Sequence, residues 1–225
     1  MTKARILFYG DPHGQWRPLL AACEEQQPDA VVILGDCDLA QPLFEAVSPL
    51  LKAQIPVHWI PGNHDSDRPN WFEHLFQGGV PGNLHGRVAE VGGIRLGGLG
   101  GTFREGVWHP RSAEASSFHA AQDYLANLRE RGLLDGRERL AETVIFPSLY
   151  DELANESAQV LVTHEAPSCH RHGFEELDLL AETMGAKLIV HGHHHEDYEA
   201  ALPSGIRVIG LGRAQPRLVE ITPAG

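Results

Sequence analysis

Asp11-Pro12-His13, Asp36, Asn63-His64-Asp65, His164 and His193-His194-His195 are the residues whose types and order could do chemistry in this chain. Carboxylate, imidazole and amide side chains are hard-to-borderline ligands that suit Mn, Fe, Zn, Co or Ni. Seven of them, Asp11, His13, Asp36, Asn63, His164, His193 and His195, are enough for two ions if one carboxylate is shared and water completes each sphere. Two divalent ions about 3.5–4 Å apart can clamp a phosphate and generate a hydroxide at neutral pH. No cysteine lies at ligand spacing, which argues against a structural zinc ribbon. The chain has 14 histidines, so any single one could be ordinary surface or core. The weight rests on the ordered set.

Each cluster follows a short apolar run: ARILFYG, VVILG, VHWIPG, VLVT and LIVHG. Such runs read as buried strands, and in parallel sheets sites form beyond the carboxyl ends of strands. The first sixty-odd residues read β-α-β-α-β, with helices at WRPLLAACEEQ and QPLFEAVSPLLKAQ. Gly92-Gly93 joins two short strands in a hairpin. Residues from about 103 to 150 read as a helical insert: AEASSFHAAQDYLANLRERG is a helix ended by Gly132, and ERLAETVIFPSLYDELAN is further helix broken near Pro147. QVLVTHEAP and KLIVHGHHH return as buried strands, and GIRVIGLG and PRLVEIT close the chain as two more, expected to be antiparallel. Roughly ten strands exceed one comfortable open sheet, so two packed sheets with helices outside are expected. With no repeat or low-complexity linker, residues 1–225 are read as one domain.

With 42% hydrophobic and 21% charged residues, the 225-residue chain has the composition of a soluble α/β protein. Its net charge of −12 argues against general attraction to nucleic acid or anionic membrane. Cys23, Cys37 and Cys169 form no disulfide pattern and fit a reducing compartment. No apolar run approaches a membrane span, and the N-terminus enters a strand at once, so a cytoplasmic protein is expected.

Asp11-x-His13, Gly35-Asp36, Gly62-Asn63-His64-Asp65, His164 and Gly192-His193-x-His195, in that order, resemble the motifs of the calcineurin-like metallophosphoesterases. The resemblance implies an α/β fold, a four-layer αββα sandwich of two mixed β-sheets flanked by helices. It also implies a pair of divalent ions, Mn²⁺ or else Fe, Zn, Ni or Co. Asp11, His13, Asp36 and His195 would hold the first ion. Asp36 would bridge to a second that also takes Asn63, His164 and His193. His64 would bind no metal; it would face the substrate with Asn63 and protonate the leaving oxygen. A turn at Gly192 would let His193 and His195 face one ion each.

Other residues carry weaker expectations. His194 reads as an outer or solvent residue, Asp65 as the partner of His64 or the cap of the following helix, and Asp38 as another partner for His64. Cys37 reads as a small buried hydrophobe. Gly97-Gly98-Leu99-Gly100-Gly101 is either a phosphate loop or a tight passage between sheets. Arg104, His109, Arg171 and His172 are candidates for substrate phosphate contacts, with Arg104 placed in the substrate site. Trp108 and Phe174 either shape a base pocket or simply pack. The insert either covers the site or makes an oligomer contact.

The expected activity is hydrolysis of a phosphodiester or phosphomonoester by a metal-bridging hydroxide, on a small phosphate ester, with no membrane or nucleic-acid partner. GDPHG is similar to the protein Ser/Thr phosphatases and dinucleoside-tetraphosphate hydrolases, but GDCDL and Asp65 depart from them. His64, where lipid A precursor hydrolases have Arg, disfavours that branch. The alternative is a non-catalytic protein-binding scaffold on the same fold, which the complete ligand set disfavours. A dinuclear amidohydrolase is a third reading.

Overall fold

The computed structural model describes residues 3–112 and 116–223. Ten strands form two sheets. The smaller has the order β10-β1-β2-β3, from β1 (Ala4–Gly10), β2 (Ala30–Ile33), β3 (Val57–Trp59) and β10 (Gln215–Ile221). The larger has the order β4-β5-β6-β7-β9-β8, from β4 (Arg87–Val91), β5 (Ile94–Leu99), β6 (Val160–Thr163), β7 (Leu188–His191), β8 (Tyr198–Ala201) and β9 (Arg207–Gly210). In each sheet the central strands are parallel, and β10, β4 and β8 run antiparallel at the edges.

The period-2 alternation of strand side chains builds the layers. Ile6 and Phe8 of β1 turn inward and meet Val32, Leu96, Val160, Val190 and Ile209 between the sheets. Leu7 and Tyr9 turn outward, against Leu19 and Cys23 of α1 (Arg17–Gln26), Leu43 of α2 (Leu43–Ala46) and Leu50 of α3 (Ser48–Lys52). Leu75 of α4 (Pro69–Phe76) joins the same cluster. On the far side, Leu161, Ile189 and Val208 pack against Leu153 of α6 (Pro147–Ala154) and Leu177, Leu180 and Met184 of α7 (Glu175–Met184). The expected two mixed sheets flanked by helices are present. No helix among the described residues is long and apolar enough to cross a membrane.

Several local expectations change. GIRVIGLG and PRLVEIT do not pair with each other: β9 lies parallel to β7, and β10 is antiparallel to β1 in the other sheet. The antiparallel partner of β9 is β8, which sequence reading did not find; its mixed, half-exposed residues carry no apolar run. QPLFEAVSPLLKAQ divides into two short helices, with Pro49 in the first turn of the second. In the insert, helix α5 covers Ala121–Glu130, and residues 113–115 of the expected longer helix lie outside the described residues. Gly132 follows α5 with φ +64°. Pro147 opens α6 instead of breaking a helix, as proline without an N–H can at a first turn.

The glycine run is a close passage between sheets. A Cβ on Gly100 would fall 2.5–2.9 Å from the Pro61 ring and backbone. Gly101, at φ +73°, donates its N–H to Pro61 O at 2.7 Å. Chain at the ends of β3 and β5 is thereby pressed together beside Asn63. Gly100→Ala should cost about 2 kcal/mol or more from overpacking against a backbone that cannot yield. Urea unfolding would measure it against the unaltered chain.

Candidate metal centre

The motif residues lie at the carboxyl ends of five parallel strands drawn from both sheets. Asp11 and His13 follow β1, Asp36 follows β2, Asn63 and His64 follow β3, His164 follows β6, and His193 and His195 follow β7. Two groups have ligand atoms within 4.8 Å of one another: Asp11, His13 and His195, and Asp36, His164 and His193. The Nε2 atoms of His13 and His195 are 3.0 Å apart. His164 Nε2 is 3.1 Å from Asn63 Oδ1. One oxygen, Asp36 Oδ2, faces both groups, 3.5 Å from His164 Nε2 and 3.9 Å from His13 Nε2. All seven residues of the expected ligand set therefore come together.

The backbone is bent hard to achieve this. Among the described residues, nine non-glycine residues have positive φ, and six of them are Asp11, His13, Asp36, Asp38, His193 and His195. Such left-handed conformations cost about 1–3 kcal/mol each and persist only where their surroundings over-determine them. The turn expected at Gly192 is made by the histidines themselves, at φ +70° and +56°. Gly192 is needed for closeness instead: a Cβ there would lie 2.5 Å from Asp11 Oδ2. Both Asp11 carboxylate oxygens accept the His193 N–H at 3.0 Å.

Hydrogen bonds set which ring nitrogen is bare. His13 donates Nδ1–H to Asp38 Oδ2 at 2.8 Å, and His164 donates Nδ1–H to Leu34 O at 2.7 Å. In the neutral rings this leaves both Nε2 lone pairs facing carboxylates. Lone pairs that face lone pairs need a proton or a cation between them. Burial opposes charge on His164, yet the Asp36 and Asp11 carboxylates outweigh it and raise its pKa to about 10. Burial also acts to raise Asp36, but His164 and the His64 N–H hold it well below the usual carboxylate range. Asp11 is pushed up to about 7 by burial, against the pull of His164 and with a further push from Asp36. This donor set penalises its own carboxylates, and divalent cations fit it because they offset that penalty.

The orienting residues differ from those expected. Asp65 neither partners His64 nor caps a helix; it is buried and accepts the N–H groups of Asp36, Cys37 and Gly62 at 3.0, 2.8 and 2.8 Å. Asp38 holds His13, not His64. His64 Nδ1 bonds to Asp67 Oδ2 at 2.6 Å, and sequence reading missed Asp67, although its position three residues on in a turn was the available signal. Burial lowers the His64 pKa, but Asp67 and Asp36 more than compensate, so it is raised. Glu165, also missed, has Oε2 3.8 Å from His193 Nε2 and forms a third group with His193 and His194. Cys37 is buried, as expected.

The substrate-contact candidates disperse. Arg104 is exposed on a turn bonded to Trp108 through the backbone, and no hydrogen bond or ion pair ties its side chain to a motif residue among the described residues. Arg171 pairs with Glu196 at 2.9 Å, and His109 packs edge-on against Phe174. Trp108 and Phe174 both pack on Phe103. His172 donates its N–H to His170 Nδ1. The insert reaches the site from behind: Thr143 hydroxyl lies 2.8 Å from the Ser66 hydroxyl, bracing the turn that carries His64.

The profile of the calcineurin-like phosphoesterases matches residues 4–197, and the chain belongs to that family of dimetal-dependent phosphoesterases. An uncharacterized protein of Haemophilus influenzae is 38% identical over 211 residues, spanning 92% of this chain and 91% of its own length. The protein TT1561 of Thermus thermophilus has a TM-score of 0.60 at 16% identity, over 98% of this chain and 100% of that one. A dimetal phosphatase of Danio rerio has a TM-score of 0.56 at 14% identity, over 95% of this chain and 88% of that one. At such identities the two structures share the fold.

Asp65→Ala leaves three buried N–H groups without an acceptor. The expected loss is about 3 kcal/mol or more, read as a lower urea midpoint of the metal-free protein.

Proposed function

We propose that the chain hydrolyses a phosphodiester or phosphomonoester, with Asp11, His13, Asp36 and His195 holding one divalent ion and Asp36, Asn63, His164 and His193 the other. The observation that carries this reading is Asp36 Oδ2, one buried oxygen turned toward both ligand groups. The oxygen- and imidazole-rich set suits Mn²⁺, and accommodates Fe, Zn, Ni or Co. When bound, such a pair acidifies a water and places positive charge on the phosphoryl oxygens.

The chain's own residues supply the rest. Asp67 takes the Nδ1–H of His64, which fixes the ring and favours its protonated form. The His64 side chain is about half exposed, at 47%, so its Nε2–H is open to a bound ester. It donates that proton to the departing alkoxide. The His64 N–H donates to Asp36 Oδ1 at 2.9 Å and ties the acid to the shared carboxylate. Asp38 keeps Nε2 of His13 bare and aimed inward. The net charge of −12 favours a small phosphate ester over nucleic acid, and three unpaired cysteines favour a reducing, cytoplasmic setting.

His64→Asn should lower kcat about 10²–10⁴-fold on alkyl phosphoesters. It should do much less on bis-p-nitrophenyl phosphate, whose nitrophenolate leaves without a proton. Equal losses on both substrates in manganese-supplemented assays would remove His64 from the acid role. Activity on alkyl esters should fall as pH rises through the His64 pKa, and Asp67→Asn should move that fall to lower pH. A profile that stays put in the variant contradicts the pairing. Asp38→Ala should weaken metal affinity about 10–100-fold, measured by calorimetric titration of Mn²⁺.

A further inference from the structure

Glu165 is a buried carboxylate that the proposed reaction does not use, with its side chain only 6% exposed. Two hydrogen bonds hold it in place: Oε1 accepts the Phe103 N–H at 3.3 Å, and its backbone carbonyl accepts the Thr163 hydroxyl at 2.6 Å. Oε2 has no hydrogen bond among the described residues and stands 3.8 Å from His193 Nε2. Arg111 lends the carboxylate some positive charge, but it is bonded to Gly173 O, and no ion pair joins the two among the described residues. Glu165, His193 and His194 form a group whose ligand atoms all lie within 4.8 Å of one another. The 3.8 Å gap is too long for a hydrogen bond. Two donors about 2.1 Å from one zinc ion stand about 3.4 Å apart at tetrahedral angles. The gap therefore has nearly the width that a shared cation sets.

Two successive rings reach the same carboxylate because His193 turns the chain left-handed, at φ +70°. An extended chain would aim them to opposite sides. The His194 ring is fixed by stacking on His170, with centroids 4.1 Å apart, and lies 4.6 Å from the His193 ring. Its Nε2 is enclosed and has no hydrogen-bond partner among the described residues. An enclosed polar atom without a partner is costly. A cation held with the neighbouring carboxylate offsets that cost. This group is also the more open of the two that contain His193. Asp36 and His164 have side chains 2% and 0% exposed, whereas His193 is 27% exposed and His194 is half-buried.

We propose that Glu165, His193 and His194 form a further divalent-cation position, suited to Zn²⁺, that exchanges with the second ion of the pair. Two imidazoles, one carboxylate and a water are a set that zinc takes. The oxygens of Asp36 and Asn63 make the inner position the harder one. His193 is common to both groups. A neutral imidazole has one bare nitrogen, so a zinc ion that takes it removes a ligand from the second ion. Excess zinc then opposes the metal pair through Glu165. The exchange rests on the ligand assignment proposed for the hydrolytic centre, whereas the position itself rests on the three side chains alone.

Crystals of the full-length manganese-loaded protein, soaked with Zn²⁺, test this without turnover. Anomalous maps at the zinc edge should show a peak bonded to Glu165 Oε2 and to His194, with the second manganese depleted. Calorimetric titration of Zn²⁺ into the same protein should show a binding event that Glu165→Gln weakens at least about tenfold, no less than the loss of an orienting residue costs. Glutamine keeps an acceptor for the Phe103 N–H, so the loop should hold its shape. His194→Gln, at a half-buried ring, should weaken the same event. Zinc at the two inner positions alone, or a zinc affinity unchanged in both variants, overturns the site. Zinc at Glu165 beside an undiminished second manganese overturns the exchange. Zinc at Glu165 in a protein that hydrolyses no phosphoester with manganese would sink the hydrolytic reading and leave the site standing.

Discussion

One buried carboxylate joins the loops on which the centre is built. Asp65 accepts three backbone N–H groups, two from the loop after β2 and one from the loop after β3. The loops are so close that a Cβ on Gly35 would lie 2.4 Å from Gly62 N. No side chain could sit between them, and the Asp65 carboxylate satisfies N–H groups that burial would otherwise leave unpaired. The arrangement has a cost: burial, with Asp36 adding to it, pushes the Asp65 carboxyl up to about 7, while the Gly62 and Cys37 N–H groups pull it down. What it secures is the left-handed backbone of Asp36, whose Oδ2 faces both groups.

From that clamp the rest of the geometry follows. Parallel strands of two sheets end along one seam, and the chain leaving each must turn sharply to keep its side chains there. The positive φ angles of Asp11, His13, His193 and His195 record those turns. Close approach replaces side chains at Gly62, Gly100 and Gly192, where an added carbon would strike the site or its supports. The insert contributes through Thr143, whose hydroxyl steadies the His64 turn.

The polar partners decide which nitrogen of each histidine carries the proton. His13 and His164 give their Nδ1 protons to Asp38 and Leu34 and turn bare nitrogens inward. His64, bonded to Asp67, is biased toward its charged form. His170 accepts the His172 N–H on Nδ1, so its neutral ring carries the proton on Nε2, 3.6 Å from Glu196 Oε2. What one ring nitrogen touches thus decides what the other can offer.

By itself the sequence determined the layers and the five strands that carry the motif residues, because apolar runs and the residues that end them are local in the chain. β1, β2, β3, β6 and β7 all lie where the runs placed them, and every expected ligand arrives at the seam. Only the tertiary structure decided which aspartate serves which histidine. Asp38, Asp65 and Asp67 are the same residue type within a few positions of the motifs, and their partners depend on where each left-handed turn aims them. It also decided that β9 and β10 belong to different sheets and that no hydrogen bond or ion pair ties the Arg104 side chain to a motif residue among the described residues. Those outcomes turn on pairing and packing between residues far apart in sequence, for which spacing carries no signal.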